Sequence, residues 1–419
     1  MTTESSTIEL STKLSTAAAA PSFTARLVLD RLARIETGSF TIVEGGRRHV
    51  YGNGDPAFPP ALVEVRDERF FGSIAHRGTV GAGESYALGW WTTDDLTAVV
   101  RAIARNEAAL SGVETGMARL SRPILAIFHA FRRNTEKGSR ANIAAHYDLS
   151  NEFFELFLDD TMMYSCGVFE RPGATLREAS VAKIDRICKK LELKAGDHLL
   201  EIGTGWGGFA IHAARTYGCR VTTTTISRAQ HDLAAQRIRD AGLEGRITLL
   251  FEDYRRLSGT YDKLVSIEMI EAVGHRYYDD YFARCSKLLK PGGRMCIQAI
   301  TIADQLYENA KRSVDFIQRY IFPGSCIPSV TALCTSMTKA SELRLVGLDD
   351  IGTHYVETLM KWRDNLILRA DDARKLGFTD EFLRLWDFYF CYCAGGFAER
   401  RIGTVHMLLE RPASRFLVG

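Results

Sequence analysis

The sequence predicts an α/β fold in which helices cover both faces of a mostly parallel sheet. Short apolar runs alternate with helical segments from about residue 146 onward, which is typical of a parallel sheet buried on both sides. A glycine-rich turn, "EIGTGWGG", directly follows the first of these runs, at the place where a doubly wound sheet binds a cofactor. The predicted strands are 199–202, 220–225, 247–251, 263–268, 294–300 and 404–411.

The length of 419 residues favours two domains. Residues 1–22, rich in Ser, Thr and Ala, are predicted to form a disordered tail. Residues 23–118 combine short strands with a helix that begins near Thr93, and we expect a small α/β accessory domain that docks on membranes and carries no catalytic motif. Residues 119–145 are a basic connector, and residues 146–419 are the predicted catalytic domain.

The connector has two interpretations. Its apolar stretch "RPILAIFHAF" precedes the basic stretch "RRNTEKGSR", and such a segment could lie on an anionic membrane surface. The alternative is a core-facing helix followed by a solvated linker, and we favour it because charge runs are usually exposed.

Composition excludes several classes of protein. A net charge of +2 argues against a nucleic-acid binder that depends on bulk charge. Nine scattered cysteines without a CxxC pair indicate a reducing, cytoplasmic compartment. We find no apolar run near the roughly 20 residues of a membrane span, and no histidine pairing that indicates a metal site.

The glycine-rich turn fits two cofactors. Gly203, Gly205 and Gly208 match the dinucleotide fingerprint, and Glu201 with the following glycines matches the turn that holds S-adenosylmethionine. Trp206 stands inside the loop, where a pyrophosphate needs bare backbone. The second strand ends "TTTTIS", without the acid or arginine that a dinucleotide requires. These features favour S-adenosylmethionine over a nicotinamide dinucleotide, which remains the alternative.

Seven motifs in order resemble one family. They are "HYDLSNEFFELFLDDTMMYSCGVF", "LLEIGTGWGG", "TISRAQ", "EDYRRL", "SIEMIEAVG", "YIFPG" and "CAGGF". Together they closely resemble the cyclopropane-fatty-acyl-phospholipid synthase family, which includes the mycolic acid cyclopropane synthases. The resemblance covers 146–419 and implies a Rossmann-like class I methyltransferase domain with a seven-stranded, mostly parallel sheet. The accessory domain resembles the N-terminal domain of the longer, phospholipid-acting members.

The resemblance also implies a cofactor site. Tyr164 and Ser165 would contact the methionine end of S-adenosylmethionine, and the turn from Glu201 to Gly207 would hold it. The implied residues of the turn are Glu201, Gly203, Gly205, Trp206 and Gly207. The implied ribose site consists of Thr225, Ile226 and Gln230, and the implied adenine site consists of Asp253 and Tyr254.

In this family a bicarbonate ion beside the methyl group is thought to act as the base. Its implied ligands here are Cys166, Glu271, Tyr355 and the backbone of Ile300. Many members have a histidine as the fifth ligand, whereas this chain has Gln298, which cannot carry charge or shuttle a proton. Cys393 matches a cysteine once proposed as catalytic, although we favour core packing for it.

The implied reaction is methyl transfer from S-adenosylmethionine to the double bond of a phospholipid acyl chain. The resulting carbocation would be stabilised by aromatic faces, and the base would decide between a cyclopropane and a methylene or methyl-branched product. The aromatic candidates are Tyr164, Phe153, Phe154, Tyr320 and Phe322.

We expect unsaturated phospholipid at the inner face of the membrane as the partner, and no nucleic acid. Members of the family that the chain resembles are often dimeric, and the sequence leaves a homodimer open. A nucleic-acid methyltransferase is disfavoured because "SIEMIEAVG" stands where amino-methylating members carry an N-P-P-Y-like run. A non-catalytic lipid- or cofactor-binding protein remains an alternative because of Gln298. Each residue also has an ordinary structural interpretation, such as a buried cysteine or a helix cap.

Overall fold

The computed structural model describes residues 22–110 and 150–413. The predicted connector 119–145, and the predicted tail apart from Ser22, therefore lie outside the described residues. So do the first four residues of the first motif, His146 to Leu149.

A seven-stranded sheet forms the centre of the C-terminal part, which confirms the predicted fold class. The strands are β5 (His198–Ile202), β6 (Arg220–Thr224), β7 (Ile247–Leu250), β8 (Tyr261–Ile267), β9 (Leu289–Ile302), β10 (Arg344–Asp350) and β11 (Ile402–Glu410). Their order is β10-β11-β9-β8-β5-β6-β7. Strands β5 to β9 pair in parallel, and β11 is antiparallel to both of its neighbours.

Successive apolar side chains of β5 enter cores on opposite faces of the sheet. Leu199 lies in a core with α6 (Leu176–Leu191), α7 (Gly208–Tyr217) and α8 (Arg228–Asp240). Leu200 lies in the opposite core with α10 (Tyr278–Leu288) and α12 (Val330–Ala340). Two short helices complete this region, α9 (Ile270–Val273) and α11 (Asp304–Ala310).

Side-chain caps fix where several of these helices begin. Thr175 and Glu178 form a reciprocal capping box at the start of α6. The hydroxyl of Ser227 accepts from the backbone N–H of Gln230 and begins α8 directly after β6. The helices therefore start at the edge of the sheet where the parallel strands end.

The accessory region folds around a four-stranded sheet. Its elements are α1 (Phe23–Leu32), β1 (Phe40–Glu44), β2 (Arg47–Tyr51), β3 (Ala61–Val65), α2 (Arg69–Ala87), β4 (Trp91–Thr92), α3 (Leu96–Arg105) and α4 (Glu107–Leu110). The strand order is β2-β1-β3-β4. Helix α3 begins at Leu96 and not near Thr93, because the carboxylate of Asp95 caps the N–H of Ala98.

The accessory region shares one hydrophobic core with the last helices of the chain. These are α13 (Thr353–Leu368), α14 (Ala370–Lys375) and α15 (Asp380–Ala398), together with the short α5 (Asn151–Glu155). The Tyr86 hydroxyl donates to Asp387 at 2.6 Å, and Arg101 and Arg105 both pair with Glu399. Within the described residues, no helix combines the length and apolar character needed to cross a membrane.

Candidate active site

The glycine-rich turn lies at the carboxyl end of β5 and leads into α7. Gly203, Gly205 and Gly207 all have positive φ angles, of 103°, 52° and 86°, which glycine adopts without steric cost. A Cβ atom on Gly205 would meet no atom within 4 Å, so this backbone faces open space. The turn can therefore hold a ligand closely against its main chain.

Glu201 anchors the turn from below. It is buried within β5, and its carboxyl accepts from the Thr223 hydroxyl of the neighbouring strand at 2.6 Å. Burial raises the pKa of Glu201 to about 8, although the Thr223 hydrogen bond and the charge of Lys183 act in the opposite direction. The group is therefore neutral at neutral pH and acts as part of the scaffold.

Trp206 points into the protein. Its side chain is 2% exposed, its indole N–H donates to Asn151 at 2.8 Å, and its ring lies 4.9 Å from that of Phe154. The expectation that its bulk keeps a pyrophosphate from the loop is therefore wrong. The preference for S-adenosylmethionine depends on Glu201 and on the second strand, which ends without an acid; the family resemblance implies Gln230 in place of that acid.

The residues predicted for the ribose and adenine sites follow β6 and β7. The Thr225 hydroxyl donates to the Gln230 side chain at 2.9 Å, and Ile226 between them is partly accessible. Asp253 is buried, and its two oxygens accept from Arg255, each at 2.8 Å. The ring of Tyr254 packs 5.5 Å from that of Tyr281. These side chains lie along the carboxyl edge of the sheet, the edge that binds ligands in such folds.

Tyr164 and Ser165 have different surroundings. The Tyr164 hydroxyl is 2.9 Å from that of Tyr389, and its ring lies 5.2 Å from that of Trp362. The Ser165 hydroxyl accepts from the Lys183 ammonium at 2.6 Å. Lys183 is fully buried on α6, and burial lowers its pKa to about 8, so it remains mostly protonated at neutral pH.

Four of the predicted anion ligands surround two carboxyl groups of the chain itself. The Cys166 backbone N–H and the Gln298 amide donate to Oε1 of Glu268 at 3.0 and 2.7 Å. The Tyr355 hydroxyl donates to Oε2 of Glu268 at 2.6 Å. The Ile300 N–H donates to Oε1 of Glu271 at 2.5 Å.

These contacts do not fit a bicarbonate ion held by the same ligands. The carboxyl of Glu268 presents two oxygens to the donors that the family resemblance assigns to bicarbonate. Burial raises the pKa of Glu268, and the hydrogen bonds that Tyr355, Cys166 and Gln298 donate to it favour its charged form. The Cys166 thiol is directed elsewhere, 3.3 Å from the Gly167 carbonyl oxygen, and burial raises its pKa. Cys166 therefore contributes its backbone N–H to this cluster, and its sulfur stays a neutral thiol.

Glu271 is the second carboxyl of the cluster. Burial, together with the nearby Glu268, raises the pKa of Glu271 to about 8. Its Oε2 atom is buried, without a hydrogen-bond partner among the residues that the structure describes. Glu271 therefore holds a proton at neutral pH.

Gln298 is fixed by His406 on the adjacent strand. The two residues are paired across β9 and β11, and His406 Nε2 lies 2.9 Å from Gln298 Oε1. Burial lowers the pKa of His406 to about 3, so the neutral ring donates through Nε2–H. The Gln298 amide nitrogen is thereby directed toward Glu268.

Aromatic rings form a wall beside this cluster. The ring of Tyr355 stacks on that of Phe397 at 4.5 Å, and the ring of Phe322 stacks on that of Tyr164 at 6.2 Å. Phe153 and Phe154 are fully buried among other rings, and the Tyr320 hydroxyl donates to Glu84 of the accessory region. Two of the five predicted aromatic candidates, Tyr164 and Phe322, therefore stack on each other.

Cys393 lies in the hydrophobic core that the accessory region shares with the last helices. It is half-buried on α15 in the shared core, and burial together with the charge of Asp315 raises its pKa. A neutral thiol in this environment packs as a small apolar group.

Sequence reasoning missed Glu268, Lys183 and His406. Glu268 directly follows β8, and an acid at the carboxyl end of a central strand was a signal that could have identified it. Lys183 occupies an apolar position on α6, next to buried Ile184. His406 had no signal in the sequence, because only the pairing of β11 with β9 brings it to Gln298.

Comparisons with known proteins identify the family to which this chain is similar. The sequence profile of the mycolic acid cyclopropane synthetase family matches residues 134–407. The tuberculostearic acid methyltransferase UfaA1 of Mycobacterium tuberculosis is 38% identical over 368 residues, which cover 86% of this chain and 85% of that protein. The cyclopropane-fatty-acyl-phospholipid synthase of Escherichia coli is 34% identical over 357 residues, which cover 84% and 88%. Among solved structures, mycolic acid cyclopropane synthase CmaA1 complexed with SAH and CTAB aligns with a TM-score of 0.61 and 31% identity, covering 65% of this chain and 98% of that chain.

Proposed function

Because this chain belongs to the mycolic acid cyclopropane synthetase family and is an S-adenosylmethionine-dependent methyltransferase, we propose that its substrate is an unsaturated acyl chain of a phospholipid. Methylation of the double bond followed by loss of a proton gives a cyclopropane ring. We place the reaction at the inner face of the cytoplasmic membrane, where such lipids are available. The likeness to the E. coli enzyme over 84% of the chain supports this substrate.

The observation that carries the proposal is the position of the carboxyl cluster beside the aromatic wall. S-adenosylmethionine supplies an electrophilic methyl group, and the alkene π electrons form the new C–C bond while the C–S electron pair stays on sulfur. The other alkene carbon becomes cationic. The stacked rings of Tyr164 and Phe322 provide faces that stabilise a cation at little solvation cost, and Glu268 lies in the same region through its bond to Tyr355.

A second candidate differs only in the product. The identity of 38% to a tuberculostearic acid methyltransferase favours a methylene or methyl-branched acyl chain. Both candidates share the methyl transfer and the cation and differ in the proton that is lost. A saturated branch additionally requires a reductant, so the two can be separated with purified protein.

The proposal is tested by incubating the protein with methyl-labelled S-adenosylmethionine and phospholipid vesicles. We expect label in vesicles with monounsaturated chains and none in matched vesicles with saturated chains. Proton NMR of the product distinguishes ring protons from vinyl protons. Equal labelling of both vesicles, or none in either, contradicts the proposal.

A further inference from the structure

We propose that the carboxylate of Glu268 is the base of the reaction, at the site that the family resemblance assigns to a bicarbonate ion; this inference rests on the proposed function. Bicarbonate, like a side-chain carboxylate, presents two oxygen atoms bonded to one carbon. The donors from Cys166, Gln298 and Tyr355 converge on the two oxygens of Glu268, at 3.0, 2.7 and 2.6 Å. The chain therefore carries, covalently attached, the anion for which these donors are suited.

The backbone of Glu268 indicates that its position is functional. Its φ angle of +47° lies in the left-handed region, which residues other than glycine adopt at a cost. Among the described residues, Met162, Glu192 and Arg400 also have positive φ. Glu192 and Arg400 lie at the C-terminal ends of helices, where this conformation is common, and Met162 closes a turn through its N–H bond to the Asp159 carbonyl. Glu268 instead follows a central strand, at the edge of the sheet that holds the cofactor turn. Strain of this kind at a site is a reason to look for function.

Gln298 suits a fixed carboxylate better than a free anion. It is neutral, it is oriented by His406, and it donates one amide hydrogen to Glu268. A residue in this position need not carry a proton if the carboxylate beside it does. The departure from the family's usual histidine is therefore explained by the neighbouring Glu268, and Gln298 is a positioning residue.

The proton balance is simple. Glu268 takes a proton from the transferred methyl group, the C–H electron pair closes the third bond of the ring, and the cation is neutralised. Glu268 then holds the proton as a neutral acid and returns it to water after the lipid has left. Because the base is part of the chain, turnover requires no dissolved carbonate.

The first test replaces Glu268 with glutamine. Glu268→Gln keeps the size of the side chain but removes the base, so we expect turnover on monounsaturated vesicles to fall by about 10²-fold or more. Calorimetry should show S-adenosylmethionine binding within about threefold of wild type, since Glu268 belongs to the carboxyl cluster and not to the glycine turn. The exposed Glu244→Gln is the matched control and should keep the wild-type rate. A Glu268→Gln protein with the wild-type rate overturns the inference.

The second test does not depend on turnover. Glu268→Gly removes the carboxylate at a position whose φ angle glycine tolerates, so the variant should fold. We expect ¹³C-labelled bicarbonate to show line broadening with Glu268→Gly and none with wild type, and we expect added bicarbonate to restore part of the variant's activity. Binding by wild type, or by neither protein, overturns the inference. If wild type labels no lipid at all, the proposed function fails, while this titration still decides the role of Glu268.

Discussion

The buried carboxyl of Glu201, below the cofactor turn, makes the stability of the folded chain depend on pH. Its pKa rises from 4.5 to about 8 in the folded protein, so between these values the folded chain binds a proton that the unfolded chain has released. A raised carboxyl pKa gives stability that is complete below about pH 4.5 and is lost as the pH rises through 8. The charge of buried Lys183 reduces this effect without reversing it.

The variant Glu201→Gln tests this linkage. Glutamine is neutral at every pH and can still accept from Thr223, so the decline in stability between about pH 4.5 and 8 should become flatter. At pH 8 we expect the variant to be more stable than wild type, by on the order of 1 to 2 kcal/mol. Urea unfolding at several pH values measures the difference, and Glu244→Gln serves as the exposed control. A steeper decline for Glu201→Gln would show that Glu201 is ionised in the fold.

At the scale of residues, the sequence predicted which residues form the site better than it predicted their hydrogen-bond partners. Motif order was enough to nominate Cys166, Glu271, Gln298 and Tyr355 as one set. It did not show that three of them donate to Glu268, because hydrogen-bond partners depend on backbone direction at the end of β8.

At the scale of elements, apolar runs predicted six of the seven strands of the large sheet. The missing strand, β10, is an edge strand in which Leu345, Val346 and Leu348 are exposed, so its composition does not resemble a buried strand. Helix α2 was also missed, because its glycines lower helix propensity. Packing of α2 against other helices outweighs this low helix propensity.

Two glycines of α2 allow the effect of side-chain packing on stability to be distinguished from the effect of helix propensity. A Cβ atom on Gly83 would lie 2.3 Å from the buried ring of Phe316, whereas one on Gly72 would meet no atom within 4 Å. We expect Gly83→Ala to destabilise the protein by roughly 1 to 3 kcal/mol through overpacking. Gly72→Ala should be neutral or stabilising, by up to about 1 kcal/mol, since alanine favours the helix. Thermal unfolding of both variants decides this, and equal effects would contradict the packing argument.

At the scale of the whole molecule, helix packing joins the accessory region to the catalytic part, in addition to the covalent connection of the chain. Helices α2 and α3 pack on α15, and Gly395 allows close approach, because a Cβ atom there would lie 2.5 Å from Val100. Tyr320, whose ring packs on that of Phe316, donates to Glu84 of α2. The accessory region therefore packs on the last long helix of the chain. The membrane docking that the sequence predicts for it stays a prediction.

The most direct measurement follows deuterium from the methyl group of S-adenosylmethionine into lipid, in buffer freed of carbonate. Mass spectrometry and NMR of monounsaturated phospholipid vesicles should show a ring carbon that keeps two of its three deuterium atoms, formed at the same rate with and without added bicarbonate. This result requires methyl transfer to the double bond and proton loss to a base of the chain. Unlabelled lipid, or product that forms only when bicarbonate is added, would contradict the account.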